Sequence, residues 1–328
     1  ENFKKYDKVV LSSRWVSLWD AGITLIDLKD RLPLKRMPRK AKLMLMHPEK
    51  SIVAVSAEDP SGGDGYIIQL FNLENRLKIA SWKLEERVFA WSWIDDKTIG
   101  VVTSNCCYHI SAEDANPQKV LSSGGHLVPW EESNITGYTT DQTQNWLLIS
   151  TASSNLEGNS RCHLQLHSRR RGEDQFLEAQ AGCFGCTVVD QTKERRNVFC
   201  FIEKGQTNSN SRLHITQLAD PTEPKFKTSV EVSYHPRFGD DSSRALFIDE
   251  EKGVLFSVTA NGFVLIFDIE MSTQVYRARI TTEEIITTAR DSESGGFLCI
   301  CSNGHVLRIG IDSKKYDALR ATREYEWD

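Results

Sequence analysis

The sequence predicts an all-β, seven-bladed β-propeller with four-stranded antiparallel blades and a short carboxy-terminal helix, on three observations. First, an apolar strand, a tight polar turn and a second apolar strand recur seven times, at 15–29, 51–74, 98–111, 146–168, 198–219, 254–270 and 297–312. Second, the copies begin 36, 47, 48, 52, 56 and 43 residues apart, and a strand-built period of roughly 40–50 residues is the signature of propeller blades. Third, a short apolar stretch precedes most copies and a more polar stretch follows, so each unit reads as three inner strands and one outer strand. In such a ring each blade covers its neighbour's apolar face and few edges stay open.

Taken in order, the preceding strands fall at 42–46, 88–93, 135–139, 184–189, 245–248 and 285–289. Most end in His47-Pro48, Asp95-Asp96, Asp141, Asp190, Asp249-Glu250 or Asp291, residues that bond nearby backbone or preset its dihedrals. The hairpin tips Ala21-Gly22, Asn261-Gly262 and Asn303-Gly304 predict two-residue primed turns. Stretches 76–83 and 274–280 are expected as outer strands. Polar segments 112–125, 153–161, 206–212 and 220–228 read as surface loops. After Asp312 the character changes, with Tyr316, Leu319 and Arg323 at helical spacing. The expected division is a ring over 1–312 and the start of a helical linker, leaving the ring, over 313–328.

A chain of 328 residues would suggest two domains, but a ring of small repeated units counts as one. Its 40 % hydrophobic and 26 % charged residues suit a soluble chain with a sizeable core. A net charge of −5 argues against a surface built wholly for nucleic acid or membrane. No apolar run is long enough to span a bilayer and no signal peptide opens the sequence. It starts at Glu1 rather than methionine, which reads as a fragment. Of eight cysteines, Cys106, Cys107, Cys162, Cys200, Cys299 and Cys301 sit in predicted strands as small apolar fillers, the pattern of a reducing, cytoplasmic setting. The sequon Asn134-Ile-Thr136 is of a kind that chance supplies.

Few residues nominate chemistry. Cys183-Phe-Gly-Cys186 has zinc-knuckle or redox spacing but no second pair, and three apart in a strand the two point to opposite faces, so they read as packed thiols. His163 and His167 share a strand face without a third ligand. Neither a Gly-rich phosphate loop nor a G-x-S-x-G elbow is present. No enzyme, no metal and no cofactor is expected. Arg169-Arg170-Arg171 reads as a solvated turn. Lys35, Arg36, Arg39, Lys40 and Lys42 crowd one link, with Arg76 and Lys78 in the next unit. With few aromatics interleaved, acidic side chains or headgroups suit them better than nucleic acid.

Beside those cations runs YIIQLFNLE, 66–74. Strand alternation puts Ile67, Gln69 and Phe71 on one face, with Arg76 and Lys78 on a single face after the turn. A groove walled by Phe71 and Val53, floored by Gln69 and rimmed by Arg76 and Lys78 fits an extended peptide with alternating apolar side chains and an acid beside them. The alternative is that Phe71 is ordinary packing between blades.

These residues, with TIGVVTSNCCYHIS (98–111), YTTDQTQNWLLIS (138–150), NVFCFIEKGQ (197–206), SRLHI (211–215), GVLFSVTANGFVLIFDIE (253–270) and SNGHVLRIGI (302–311), resemble the amino-terminal domain of clathrin heavy chains from about Tyr6 to Asp312. The resemblance implies a non-enzymatic vesicle-coat scaffold for endocytosis and vesicle traffic. Its seven-bladed propeller would hold Leu-Φ-x-Φ-acid motifs of adaptor and accessory proteins between the first two blades. The family's groove glutamine and phenylalanine match Gln69 and Phe71, its two lysines fall on Arg76 and Lys78, and Val53 replaces an isoleucine. Ile67 replaces a threonine, Met37 an arginine, and the turn at 59–65 is longer. A second, top-face groove aligns with Tyr6, but Asn134, Thr136 and Ala152 replace a glutamine and two isoleucines. The family's first strand is not matched ahead of Glu1. Further heavy chains and light chains would be met through regions outside this stretch, the membrane only through adaptors, and nucleic acid not at all. The implied location is the cytoplasmic face of coated pits and vesicles. The alternative readings are another propeller scaffold, WD-type or coatomer-like, that binds partners on its top face, and a propeller hydrolase.

Overall fold

The computed structural model describes residues 6, 8–20, 22–29, 33–38, 41–59, 65–122, 134–154, 160–189, 194–203, 211–218, 227–235 and 241–325. Its strands follow the predicted order. Blade 1 is β1 (Lys8–Leu11), β2 (Trp15–Trp19), β3 (Gly22–Asp27) and β4 (Pro33–Pro38). Blade 2 is β5 (Leu43–Met46), β6 (Ile52–Glu58), β7 (Tyr66–Asn72) and β8 (Leu77–Leu84). Blade 3 is β9 (Val88–Trp93), β10 (Thr98–Thr103), β11 (Cys106–Ser111) and β12 (Gln118–Ser122). Blades 4 and 5 share one seven-stranded sheet: β13 (Asn134–Thr140), β14 (Trp146–Ser154), β15 (Ser160–Ser168), β16 (Glu173–Val188), β17 (Arg195–Glu203), β18 (Arg212–Gln217) and β19 (Lys227–Glu231). Blade 6 is β20 (Ser243–Asp249), β21 (Val254–Thr259), β22 (Phe263–Asp268) and β23 (Thr273–Arg279). Blade 7 is β24 (Ile285–Arg290), β25 (Phe297–Cys301) and β26 (Val306–Ile309), followed by helix α1 (Ser313–Tyr325).

Among the described residues every strand pairing is antiparallel between neighbours in the chain, as the hairpin phrase requires. Among the described residues the buried apolar side chains form seven clusters, one at each seam between successive blades. Ring closure is among them. Leu11, Val16 and Leu18 of blade 1 pack on Leu298 and Ile300 of blade 7, and the Ser13 hydroxyl donates to Asp291 at 3.3 Å.

Five expectations need correction. Residues 112–125 are not all loop, because β12 lies within them. Gln118, Lys119 and Ser122 face solvent as an outer strand allows, and Leu121 alone is buried. The strand expected at 184–189 is the second half of β16, a 16-residue strand that is outermost in blade 4 and innermost in blade 5, with its register shift at Ala179–Ala181. Small residues there let one strand turn from one sheet into the next. The Asn-Gly tips are not primed turns. Only the glycines are left-handed, Gly262 at φ 78° and Gly304 at φ 92°, and their amides donate to Thr259 and Cys301 carbonyls, a type I turn followed by a left-handed glycine. Among the described residues, blade 7 has three strands rather than four. The helix is found where expected, yet its first turn stays on the ring. Tyr316 is buried in the blade 6–7 cluster and its hydroxyl donates to Asp268 at 2.6 Å.

Candidate functional site

The face of blade 2 turned to blade 1 is built in three cross-strand rows. Val53 pairs with Phe71 and Phe71 with Lys78; Val55 with Gln69 and Gln69 with Ser81; Ala57 with Ile67 and Ile67 with Lys83. Exposure rises outward along each row. Val53 is 1 % exposed, Phe71, Gln69 and Ile67 are half-buried, and Lys78, Ser81 and Lys83 are exposed. Inner residues fill the seam, where Val53 joins Trp15, Trp19, Ile23 and Leu25 of blade 1, with Val55, Phe71 and Leu73 packed at the margin. Phe71 is therefore neither sealed in a blade nor loose on the surface. It closes the seam with one face and leaves part of its ring open.

A β-bulge decides which cation meets it. Leu70 pairs with Ala80 and Phe71 with Lys78, so Ile79 is the extra residue of β8. Without that insertion Ile79 would face Phe71, and Lys78 would lie opposite Asn72 on the far face. A bulge sets two residues against one, so Lys78 and the 43 % exposed Ile79 both stand at Phe71. The tip of the hairpin is held by Asn72, whose side-chain oxygen accepts from the amides of Glu74 and Asn75 at 2.9 and 3.3 Å. This leaves Arg76 left-handed at φ 61°, a conformation that costs a non-glycine residue about 1 kcal/mol.

Charge differs along the groove. Lys83 reaches Asp59 at 2.6 Å and Lys42 reaches Glu58 at 3.1 Å. Arg76 and Lys78 are exposed and meet no carboxylate among the described residues. On blade 1, Met37 and Lys35 lie opposite Ile23 and Leu25 in the register; Arg39, Lys40 and positions 60–64 of the long turn lie outside the described residues.

The second predicted groove is placed in parts. Tyr6 packs at the margin of the blade 7–1 cluster. Asn134 and Ala152 are cross-strand partners in blade 4, and exposed Thr136 donates to the Ser150 carbonyl at 3.2 Å. Cys183 lies opposite Cys200 against the blade 5–6 cluster, where burial pushes its thiol up to about 12; Cys186 lies opposite Asn197. His167 is engaged by Asp174 at 3.1 Å, and His163 lies opposite Glu178.

One feature escaped the sequence. Between blades 4 and 5 lies a crevice of about 620 Å³ lined by Trp146, Phe176, Phe199, Phe201 and His214. Phe201 stacks on His214 at 4.8 Å, and Glu203 holds that histidine at 2.7 Å. Its walls come from distant segments, each unremarkable as a strand, so no local pattern announces it.

No family model matches the chain. It is similar to curated clathrin heavy chains: 31 % identical over 297 residues to the probable clathrin heavy chain 1 of Caenorhabditis elegans, 32 % over 300 to clathrin heavy chain 2 of Oryza sativa subsp. japonica, and 28 % over 299 to clathrin heavy chain 2 of Homo sapiens. These alignments cover 88–89 % of this chain and 17 % of each relative, so the chain spans about one sixth of their length. Among solved structures, a chain of a mitotic checkpoint complex has a TM-score of 0.58 at 11 % identity, covering 92 % of this chain and 89 % of that one. The β-propeller domain of Cps50 (Swd1) from Myceliophteria thermophila has 0.51 at 8 %, covering 92 % and 95 %. At such identities the two structures speak to the propeller fold alone.

Proposed function

Starting from a chain that is a divergent relative of the clathrin heavy chains and matches their amino-terminal part, we propose that it is a non-enzymatic vesicle-coat scaffold domain. In this reading it holds short linear motifs of adaptor and accessory proteins in the seam between blades 1 and 2. The observation that carries the reading is the partly open Phe71, with Lys78 across from it and Arg76 beside it, neither cation meeting a carboxylate among the described residues. An extended segment lays alternate side chains to one side. Two apolar ones find Phe71, Ile79 and Ile67, Gln69 supplies hydrogen-bonding groups between them, and an acid meets the guanidinium and ammonium.

Burying two such side chains is worth roughly 3–6 kcal/mol, and ordering the peptide offsets much of it. A single motif then binds at about micromolar strength or weaker. Useful strength comes from many heads engaging many motifs at once, which suits a coat that assembles and dissolves. The work would be done on the cytoplasmic face of coated pits and vesicles, the membrane being reached through adaptors. Residues 313–328 would begin a linker towards the rest of a longer heavy chain.

The test is fluorescence polarisation with a labelled peptide carrying alternating leucines and a terminal acid. Phe71→Ala and Gln69→Ala should each weaken binding, the first by about tenfold or more. Unchanged affinity in both would refute the reading.

A further inference from the structure

We infer that the polar pocket where blades 5 and 6 meet binds one alkali metal ion, sodium or potassium, on the carboxylate of Asp241. The site is separate from the groove of blades 1 and 2 and stands whether or not that groove takes a peptide.

A comparison of the buried acids points to it. Among the described residues seven aspartates are buried. Asp27, Asp59, Asp249 and Asp291 each meet a cation of the same chain, from Arg14, Lys83, Lys252 and Arg308, at 2.6–3.1 Å. At Asp141 both oxygens are used, Oδ1 by the Trp146 amide and Oδ2 by the amide and hydroxyl of Thr143. At Asp268, Oδ1 accepts from the Met271 amide and Oδ2 from the Tyr316 hydroxyl. Asp241 differs. It is 0 % exposed, and its Oδ1 accepts from the amides of Ser242 and Asn261, each at 3.0 Å. Its Oδ2 is buried and meets no donor among the described residues. A carboxylate taken out of water without a counter-charge is costly unless something positive coordinates it.

The surroundings supply further oxygens. Ser243 is two residues on from Asp241, and its hydroxyl bonds that of Ser257 at 2.7 Å and that of Tyr234 at 3.0 Å. Tyr234 donates to Oε1 of Gln180 at 2.8 Å. Ser211 lies beside the same phenol, and its own buried hydroxyl has no partner among the described residues. Burial, and then the nearby Asp241 charge, push that phenol above the ordinary tyrosine range, which sets the carboxylate close to it. Gln180 stands at the register shift of β16 and Ser243 opens β20, so an ion here would tie blade 6 to the strand that blades 4 and 5 share.

Charge and ligand type select the ion. One carboxylate among hydroxyl and carboxamide oxygens balances a single positive charge, whereas a divalent ion would leave net charge buried. Transition metals favour nitrogen and sulfur, and no three of histidine, cysteine, aspartate and glutamate gather into a metal site among the described residues. Gln180 Nε2 is also buried without a partner. It is a donor and cannot ligate, but a water carried by the ion would accept from it.

The experiment melts this chain in sodium, potassium or choline chloride at one ionic strength. Either alkali ion should raise the unfolding temperature above its value in choline by about 2 °C or more. Asp241→Asn keeps the shape and removes the charge. It should melt at one temperature in all three salts, no lower than the wild type in choline. Crystals soaked in rubidium chloride should show anomalous density at Oδ2 of Asp241, and that result decides the matter if the variant does not fold. Equal melting of the wild-type chain in the three salts would overturn the ion, as would soaked crystals with water alone at Oδ2. An alkali-ion preference that survives in Asp241→Asn would overturn it too, because the ion would then act elsewhere.

Discussion

The seams between blades 1 and 2 and between blades 6 and 7 are built alike and end differently. Each begins as a dry cluster of strand residues from two sheets, Trp15, Trp19, Ile23 and Val53 in one, Phe256, Val264, Phe297 and Cys299 in the other. At the first, the margin is Phe71, partly open, with cations beside it that meet no carboxylate among the described residues. At the second, the chain supplies its own occupant. Asp312 receives the Lys315 amide at the helix start, α1 follows, and Tyr316 drops into the seam with its hydroxyl on Asp268. The Asp268 carboxylate also accepts the Met271 amide at 2.8 Å, so its turn and the helix are tied to one group. What makes a seam available is thus less its apolar content than whether an aromatic from the same chain already fills the mouth.

The strongest way to break this contrast is to empty the filled seam. Tyr316→Ala removes a buried aromatic and leaves Asp268 short of a donor, and should cost about 3–5 kcal/mol in urea unfolding. Tyr316→Phe keeps the ring and should cost about 1–2 kcal/mol. Equal losses in the two variants would mean that the hydrogen bond, not the packing, holds the helix. Emptying the open seam should act the other way round. Phe71→Ala should lower peptide affinity by about tenfold yet cost no more than about 2 kcal/mol in stability, because the ring sits at the margin of its cluster and is only partly buried.

A third seam, between blades 3 and 4, sharpens the contrast through pH. The Tyr138 hydroxyl donates to Nε2 of His109 at 2.8 Å, and Nδ1 donates to Oε1 of Gln144 at 3.1 Å, which satisfies a neutral ring. Burial first, and the nearby Arg169 second, hold its pKa down to about 4 against an ordinary 6.5. The unfolded chain then takes up the proton more readily between those values. Stability should be whole above pH 6.5 and fall as pH drops towards 4, by at most about 1.4 kcal/mol per pH unit from this group. His109→Gln should flatten that slope in pH-resolved melts, whereas the Phe71 seam, which holds no histidine among the described residues of its cluster, should leave it unchanged when mutated.

The smallest expected effect separates strain from charge within the open seam. Arg76→Gly relieves a left-handed arginine and should stabilise the fold by up to about 1 kcal/mol, while weakening an acidic peptide by about two- to fivefold at low salt. Unchanged or tighter binding of the acidic peptide in this variant would show that Arg76 does not serve the ligand.

The strands were legible because period-two alternation and turn residues repeat with the blade, and a buried strand such as Val254–Thr259 has few other readings. β12 was hidden because an outer strand such as Gln118–Ser122 faces solvent and shows no apolar alternation. β16 was hidden because a boundary between repeats was expected to carry a turn, and Ala179–Gly182 bends instead. At the groove, alternation named Ile67, Gln69 and Phe71 rightly as one face. It could not justify Lys78, whose place depends on the bulge at Ile79, nor name Ile79 itself, because a register shift leaves no mark in strand periodicity.

From its sequence alone this chain is a series of seven strand-rich units, with the apolar face of each strand and the makings of a charged, aromatic hairpin in the second. Those features depend on residues within a few positions of one another, where backbone period and turn chemistry act. Tertiary structure decided which seams stay open and how the ring shuts. Tyr316 seals one mouth from the neighbouring helix, a single inserted residue turns Lys78 into another, and Leu11, Val16 and Leu18 meet Leu298 and Ile300 across the whole length of the chain. Contacts of that kind form between segments whose local patterns are independent, so only folding brings them together.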